Sequence, residues 1–242
     1  SGQWWMAAGG TTLLNSFNDT AYGNILINTW YHIAFVHTGS SFTYYKNGIA
    51  VDTTSQTSGA NNTGGGFVVG SKQDASYGKK LQGNISDFRF VNGTAVYTGA
   101  FTPPSGPLTT TGGTYPSNTN VNTSIPSGNT KLLTANHSSG SYDDDSNSNH
   151  TLTAAGTVSL AGGIEGAPAD LSSASNTLSL NGDTTHSYAS PFVQGSGGSV
   201  LFDGSGDWLK VPSTSDFSFG TGDFTLSLIH ISEPTRQEAI SY

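Results

Sequence analysis

The chain contains no cysteine, which excludes disulfides and thiolate-bound metals outright. Charge is scarce as well. Charged residues make up 10% of the 242 residues, against roughly 25% in an ordinary globular domain. Lys and Arg together number 8 and the formal net charge is -8. That removes the clustered cations needed by a nucleic-acid backbone or an anionic membrane surface. No apolar run approaches the ~20 residues of a membrane span. Glutamate is nearly missing, being confined to Glu165, Glu233 and Glu238. His37, His137, His150 and His186 show no metal-ligand spacing, and no Gly-x-Ser-x-Gly elbow supports Ser-His-Asp chemistry.

What is present is aromatic and β-forming. Phe, Tyr and Trp make up 11% of the chain, too many for a disordered polar tract. They fall in alternating runs between turns of Gly, Asn, Ser and Thr, which predicts short antiparallel strands. Residues 30–37 place Trp30, His32, Ala34 and Val36 on one face and Tyr31, Ile33 and Phe35 on the other. Both faces are apolar, so a central strand covered on both sides is expected. His32, set among apolar neighbours in that strand, is expected to be buried with a hydrogen-bonded ring. Asn47-Gly48 separates two strand runs and predicts a two-residue hairpin with positive φ at both positions. Residues 66–70 predict a short apolar strand. Residues 84–91 predict a further strand, with Ile85, Asp87, Arg89 and Val91 on one side and Ser86, Phe88 and Phe90 on the other. Pro103, Pro104 and Pro107 close the unit. Residues 110–130 are Thr, Gly, Ser, Asn and Pro with few apolar side chains, and are expected to be a linker.

Four pieces in this order carry a resemblance. They are Thr29-Trp30-Tyr31-His32-Ile33-Ala34-Phe35-Val36, Tyr44-Tyr45-Lys46-Asn47-Gly48, Gly83-Asn84-Ile85-Ser86-Asp87-Phe88-Arg89-Phe90, and Tyr97-Thr98-Gly99-Ala100-Phe101-Thr102-Pro103-Pro104. Together they resemble the laminin-G-like members of the concanavalin A-like lectin/glucanase superfamily, in the form found in bacterial surface proteins and phage tail or virion proteins. The resemblance implies an all-β fold, an antiparallel jelly-roll β-sandwich. Residues 1–109 look like such a domain without its first strands. Residues 131–225, above all Val200-Leu201-Phe202-Asp203-Gly204-Ser205-Gly206-Asp207-Trp208, look like the N-terminal part of a second copy. The chain is therefore expected to be a piece of a longer multidomain repeat array. Strands 200–225 are expected to pair onto the first copy in the manner of a circular permutant, because two half-sandwiches would each leave open edges. Residues 226–242 resemble the in-frame translation of a transposase-type sequencing adaptor, with a helical tail as the alternative, and are not counted toward the expected fold.

Candidate sites follow from residue type. Asp203 and Asp207 flank a glycine-rich turn that suits calcium, which takes 6–8 oxygen ligands. Asp87, on a strand expected nearby, is the third metal candidate, although pairing with Arg89 would account for it. Asp203 and Asp207 can equally cap backbone amides of the turn. Asp143-Asp144-Asp145 departs from an EF-hand at Ser148 and Ala154 and reads as a polar turn. In the loop 73–80, Tyr77 offers a ring face to a sugar, while Asp74 and Lys79 offer hydrogen bonds. Trp4, Trp5, Trp208, Tyr44, Tyr45 and Tyr97 are expected mostly in the core. Glycosidases of the resembled superfamily carry Glu-x-Asp-x-x-Glu on one strand, and this chain has no such motif. The expectation is a non-enzymatic recognition module for a glycan or other surface ligand, with calcium as a candidate cofactor and an extracellular, cell-surface or virion setting. The alternative is a structural spacer or decoration domain in a tail fibre or adhesin. A glycoside hydrolase fragment ranks behind both.

Overall fold

The computed structural model describes residues 4–8, 11–17, 26, 29–55, 67–71, 81–136, 143–156, 158–161, 199–203, 208–211 and 220–232. Among the described residues, its elements are strands apart from one 3-10 turn, Ser127–Asn129. An N-terminal hairpin pairs β1 (Trp4–Ala8) with β2 (Thr11–Phe17). The main sheet contains β3 (Trp30–Thr38), β4 (Ser41–Lys46), β5 (Ile49–Ser55), β7 (Gln82–Asn92), β10 (Thr130–Thr134), β12 (Ser159–Ala161), β13 (Ser199–Asp203) and β15 (Phe224–Ser232). Its order is β12-β13-β7-β15-β3-β4-β5, with β10 also on β7. A small sheet joins β11 (Thr153–Ala155), β14 (Trp208–Val211) and β6 (Phe67–Val69). Two short strands, β8 (Leu108–Thr109) and β9 (Gly112–Gly113), pair with each other. Every pairing is antiparallel, and the fold is an all-β sandwich.

The hairpin at Asn47-Gly48 forms as its dipeptide predicts, with φ of 50° and 79°. Lys46 faces Ile49 across it. Asn47 does more than turn the chain. Its amide donates to the His32 carbonyl at 2.8 Å, and its side-chain Oδ1 accepts the His32 amide at 2.9 Å. The tip is thereby fixed to the middle of the sheet.

β3 is central and covered on both faces, as its two apolar faces require. Tyr31, Ile33 and Phe35 join one core, with Phe42, Tyr44, Phe88, Phe90, Phe224, Leu226 and Leu228. Phe67, Leu81, Leu152 and Ala154 pack against this core. Ala34 and Val36 join a second core, with Tyr45, Val91, Val96, Tyr97, Phe101 and Ile125. The second core corrects the linker expectation for residues 110–130. That segment lies on the sheet as a cover. Ile125 is buried, the Asn122 amide donates to the Val96 carbonyl at 2.7 Å, and the Ile125 amide donates to the Thr111 carbonyl at 3.3 Å. Few apolar residues suffice here, because the cover bonds its backbone partly within itself and partly to residues 96–105, and drops single apolar side chains onto a sheet face that is already apolar.

β7 also departs from simple alternation. Ile85 shares the first core with Phe88 and Phe90, while Val91 lies in the second. Asp87 has φ of 52°, and the register against β15 shifts between Ser227 and Ile229. This β-bulge puts an extra residue into β7 and reverses the facing of everything after it. Asp is among the few side chains that tolerate the left-handed region.

β15 and β13 complete the sheet from the far end of the sequence. β13 pairs with β7 from Val200↔Ile85 to Asp203↔Gln82. β15 lies between β3 and β7, and runs against β3 from Phe224↔His37 to Ile231↔Trp30. Residues 226–232, not counted toward the expected fold, form most of a central strand. The physical reason is their alternation: Leu226 and Leu228 enter the first core, and Ser227 and Ile229 are buried on the other face.

Candidate functional site

Among the described residues, polar side chains gather in a buried cluster beneath the cover and in the turn at Asp144.

In the buried cluster, Arg89 is fully buried. Its Nη1 donates to the carbonyls of Thr109, at 3.0 Å, and Gly112. Its Nη2 lies 3.4 Å from the Tyr115 hydroxyl. Arg89 thus ties the β8–β9 turn down onto the sheet instead of pairing with Asp87. The Tyr97 hydroxyl lies 3.1 Å from that of Tyr115 and 3.5 Å from His32 Nε2. The Tyr97 ring stacks on Phe101, with centroids 3.8 Å apart. His32 is buried as expected, but its ring is poorly bonded: the contact to Tyr97 is long, and Nδ1 has no partner. Burial, with the Arg89 guanidinium beside it, lowers the His32 pKa to about 3. His32 is therefore a neutral imidazole, closed off from solvent. The cluster holds the cover in place and offers no open face to a substrate.

Asp87 is fully buried on its bulge. Its Oδ2 accepts the Ser86 hydroxyl at 2.8 Å, and its Oδ1 accepts the Leu108 amide at 2.7 Å. The ladder sets Asp203 opposite Gln82, and Asp87 lies five residues further along β7, about 16 Å at the usual strand rise. Among the described residues, no group of three or more His, Asp or Glu is placed to hold a metal ion.

Asp144 organises the turn that sequence alone marks only as polar. Its Oδ1 accepts the amides of Leu133 (3.0 Å) and Ser146 (2.9 Å). Its Oδ2 accepts the Ser146 hydroxyl and the His150 amide, both at 2.9 Å. A carboxylate with four donors of its own is a fastener for the turn, and this fulfils the polar-turn expectation with a definite geometry. Asp144→Ala is expected to cost about 2 kcal/mol, because it leaves the buried Leu133 amide without an acceptor. Urea unfolding would show it as a lowered midpoint; a change under about 0.5 kcal/mol would remove the fastening role.

One corner of the sandwich is defined by backbone. β6 leaves the small sheet at Gly70 and Ser71, and the chain enters the main sheet at Leu81 and β7. The Leu81 amide donates to the Gly70 carbonyl at 2.8 Å, which closes the base of that connection. β13 leaves the main sheet at Asp203, opposite Gln82, and β14 begins in the small sheet at Trp208. Leu209 of β14 faces Val69 of β6. Two crossings between the sheets therefore spring from the same corner, although more than 120 residues separate them in sequence. One crossing spans Asp74, Tyr77 and Lys79; the other spans Asp207. These four lie outside the described residues, and Asp203 is described here only by its backbone. The aromatics expected in the core are there where described: Tyr44, Tyr45 and Tyr97 are all buried.

No described helix is long and apolar enough to cross a membrane. Residues 1–96 match a laminin G family model, that of the concanavalin A-like lectin/glucanases superfamily. No curated protein and no solved structure matches the chain.

Proposed function

We propose, from that superfamily match and the shared corner of the two crossings, that this sandwich is a non-catalytic recognition module. Its ligand is a glycan or another polar surface group, taken at the corner where Gly70, Leu81, Asp203 and Trp208 meet. The observation that carries the reading is the convergence itself. Antiparallel pairing brings the described residues that flank 72–80 and 204–207 to one end of the sandwich, and in sequence those two stretches carry aromatic, carboxylate and amine groups suited to a sugar. Tyr77 supplies a ring face, while Asp74 and Lys79 supply hydrogen bonds. In this proposal a calcium ion belongs to Asp203 and Asp207; Asp87 has no part in it. The absence of a Glu-x-Asp-x-x-Glu strand supports binding without hydrolysis. The setting is an exposed one, on a cell surface, an adhesin or a virion fibre.

Glycan-array binding of the full chain, with calcium and with chelator, tests this. Saturable binding is expected, weakened about tenfold by Tyr77→Ala, which corresponds to loss of one stacking contact of roughly 1.4 kcal/mol. Binding lost on chelation and in Asp203→Asn places calcium at the corner; binding that survives chelation keeps the module and removes the metal. No binding by a chain that unfolds cooperatively would overturn the proposal in favour of a structural spacer.

A further inference from the structure

The main sheet consists of two parts that share no ladder of their own among the described residues. One part is β3-β4-β5; the other is β7 with β10, β13 and β12. β15 is the strand between them, and it pairs with both along nearly its whole length. Its ladder to β7 runs from Phe224↔Asn92 to Ser232↔Gly83. The start of the strand is fastened to both parts as well. The Gly93 amide donates to the Asp223 carbonyl at 2.7 Å, and the Gly39 amide donates to Asp223 Oδ1 at 2.9 Å. Every described side chain from Phe224 to His230 is buried.

We propose that the cleft between β3 and β7 is an acceptor site for β15 of a second copy of this chain, so that copies join by exchanging the segment 199–232. The contacts that seat the strand do not depend on which copy supplies it. They are ladder bonds, the apolar side chains Phe224, Leu226 and Leu228, and the clamp at Asp223. Without a strand in the cleft, β3 and β7 each present an unpaired edge with matched register, and such edges recruit strands from other chains. β10 and the turn at Asp144 are held on β7, and about 50 residues separate His150 from the donor segment, so its local concentration at its own cleft is set by that tether and not by a tight turn. Exchange of an identical element adds no new contact surface to the closed form, which makes it a low-cost route to association. The occupant is thus a second copy, specified by the strand already seen in place.

The absence of cysteine makes the test clean. Ala34 and Ser227 are register partners across β3 and β15. Ala34→Cys in one tagged full-length chain and Ser227→Cys in a differently tagged one are mixed, equilibrated in mild denaturant, diluted and oxidised. The expected result is a disulfide-linked heterodimer. At low occupancy its yield rises about tenfold for a tenfold rise in chain concentration. Thr225→Cys, whose partner is Val36, is out of register with Ala34→Cys and is expected to give about tenfold less, because cross-linking needs the two Cα atoms within roughly 7 Å. No heterodimer at any concentration, or equal yield from the out-of-register pair, overturns the proposal. If the cysteine chains fail to fold, native mass spectrometry of mixed isotope-labelled and unlabelled unmodified chains decides it. Mixed dimers support exchange; monomers alone at the highest concentration refute it.

Discussion

Lowering the pH from 7 to 4.5 is expected to remove on the order of 5 kcal/mol of stability, enough to unfold a domain of ordinary stability. The cause is two histidines whose neutral forms are built into the sheet. Burial, with Arg89 nearby, holds His32 down to about 3, and burial holds His230 down to about 4, both from an ordinary value of 6.5. The His230 ring stacks on Tyr31, with centroids 5.9 Å apart. In the unfolded chain both rings take up a proton as pH falls through 6.5, whereas the folded chain refuses it. The unfolded state therefore binds more protons between pH 6.5 and 4, and stability falls with pH across that window. Above it both states are neutral at these positions and the dependence vanishes; below about 3 the folded form titrates too and the slope flattens. Near pH 5 the slope is about 2–3 kcal/mol per pH unit, nearly two protons' worth. Urea unfolding from pH 4.5 to 7.5 measures it. His230→Phe, which keeps an aromatic ring against Tyr31, should lower the slope by about half. A stability that is flat between pH 5 and 7, or a slope unchanged in that variant, would contradict the assignment.

The second large effect lies at the hairpin tip. Gly48→Ala should destabilise the fold by about 3 kcal/mol or more, combining left-handed strain with a steric clash. An added Cβ would meet the Phe101 carbonyl oxygen at 1.9 Å, a backbone atom with no rotamer to yield. That approach exists because the Phe101 amide donates to the Gly48 carbonyl at 3.0 Å. The φ of 79° adds its own penalty for any L side chain. Asn47→Ala is the informative companion, since it removes the Oδ1 acceptor of the His32 amide without adding bulk. It should cost about 1–2 kcal/mol. The ordering decides the interpretation. If Gly48→Ala is no worse than Asn47→Ala, the tip does not press on Phe101 as the geometry requires.

Several parts of this fold are written locally and were open to reading from sequence. Asn47-Gly48 specifies its own turn, and the two apolar faces of residues 30–37 specify a strand covered on both sides. Other features depend on distant partners. The bulge at Asp87 follows from the register of β15 and from the Ala135 carbonyl, which accepts the Asp87 amide at 2.9 Å. Nothing within residues 84–91 announces it. The cover was hidden for a different reason: Tyr115, Val121 and Ile125 are spaced too widely to form a periodic pattern, and it is the sheet beneath that gives them a place. Residues 226–232 show the opposite case. Whatever the origin of their codons, alternating Leu-Ser-Leu meets all that the centre of this sheet asks of a strand. At the corner, residue type alone offered Asp203, Asp207 and Asp87 as a set, whereas which residue faces which across β13 and β7 is a property of the ladder. Arg89 was paired with Asp87 in expectation for the same reason, and the carbonyls it serves came into view only with the β8–β9 turn.

The position of β15 also sets a clock on biosynthesis. β3 and β7 leave the ribosome before the strand that must lie between them, which follows more than 130 residues after β7 ends. At typical synthesis rates of about 5–20 residues per second, the nascent chain carries two raw edges for roughly ten seconds. Folding cannot proceed from the N-terminus in finished stages; it waits for its middle. Such a chain belongs with the slow, high-contact-order β proteins, and its yield in a cell should depend on what shields the gap during the wait.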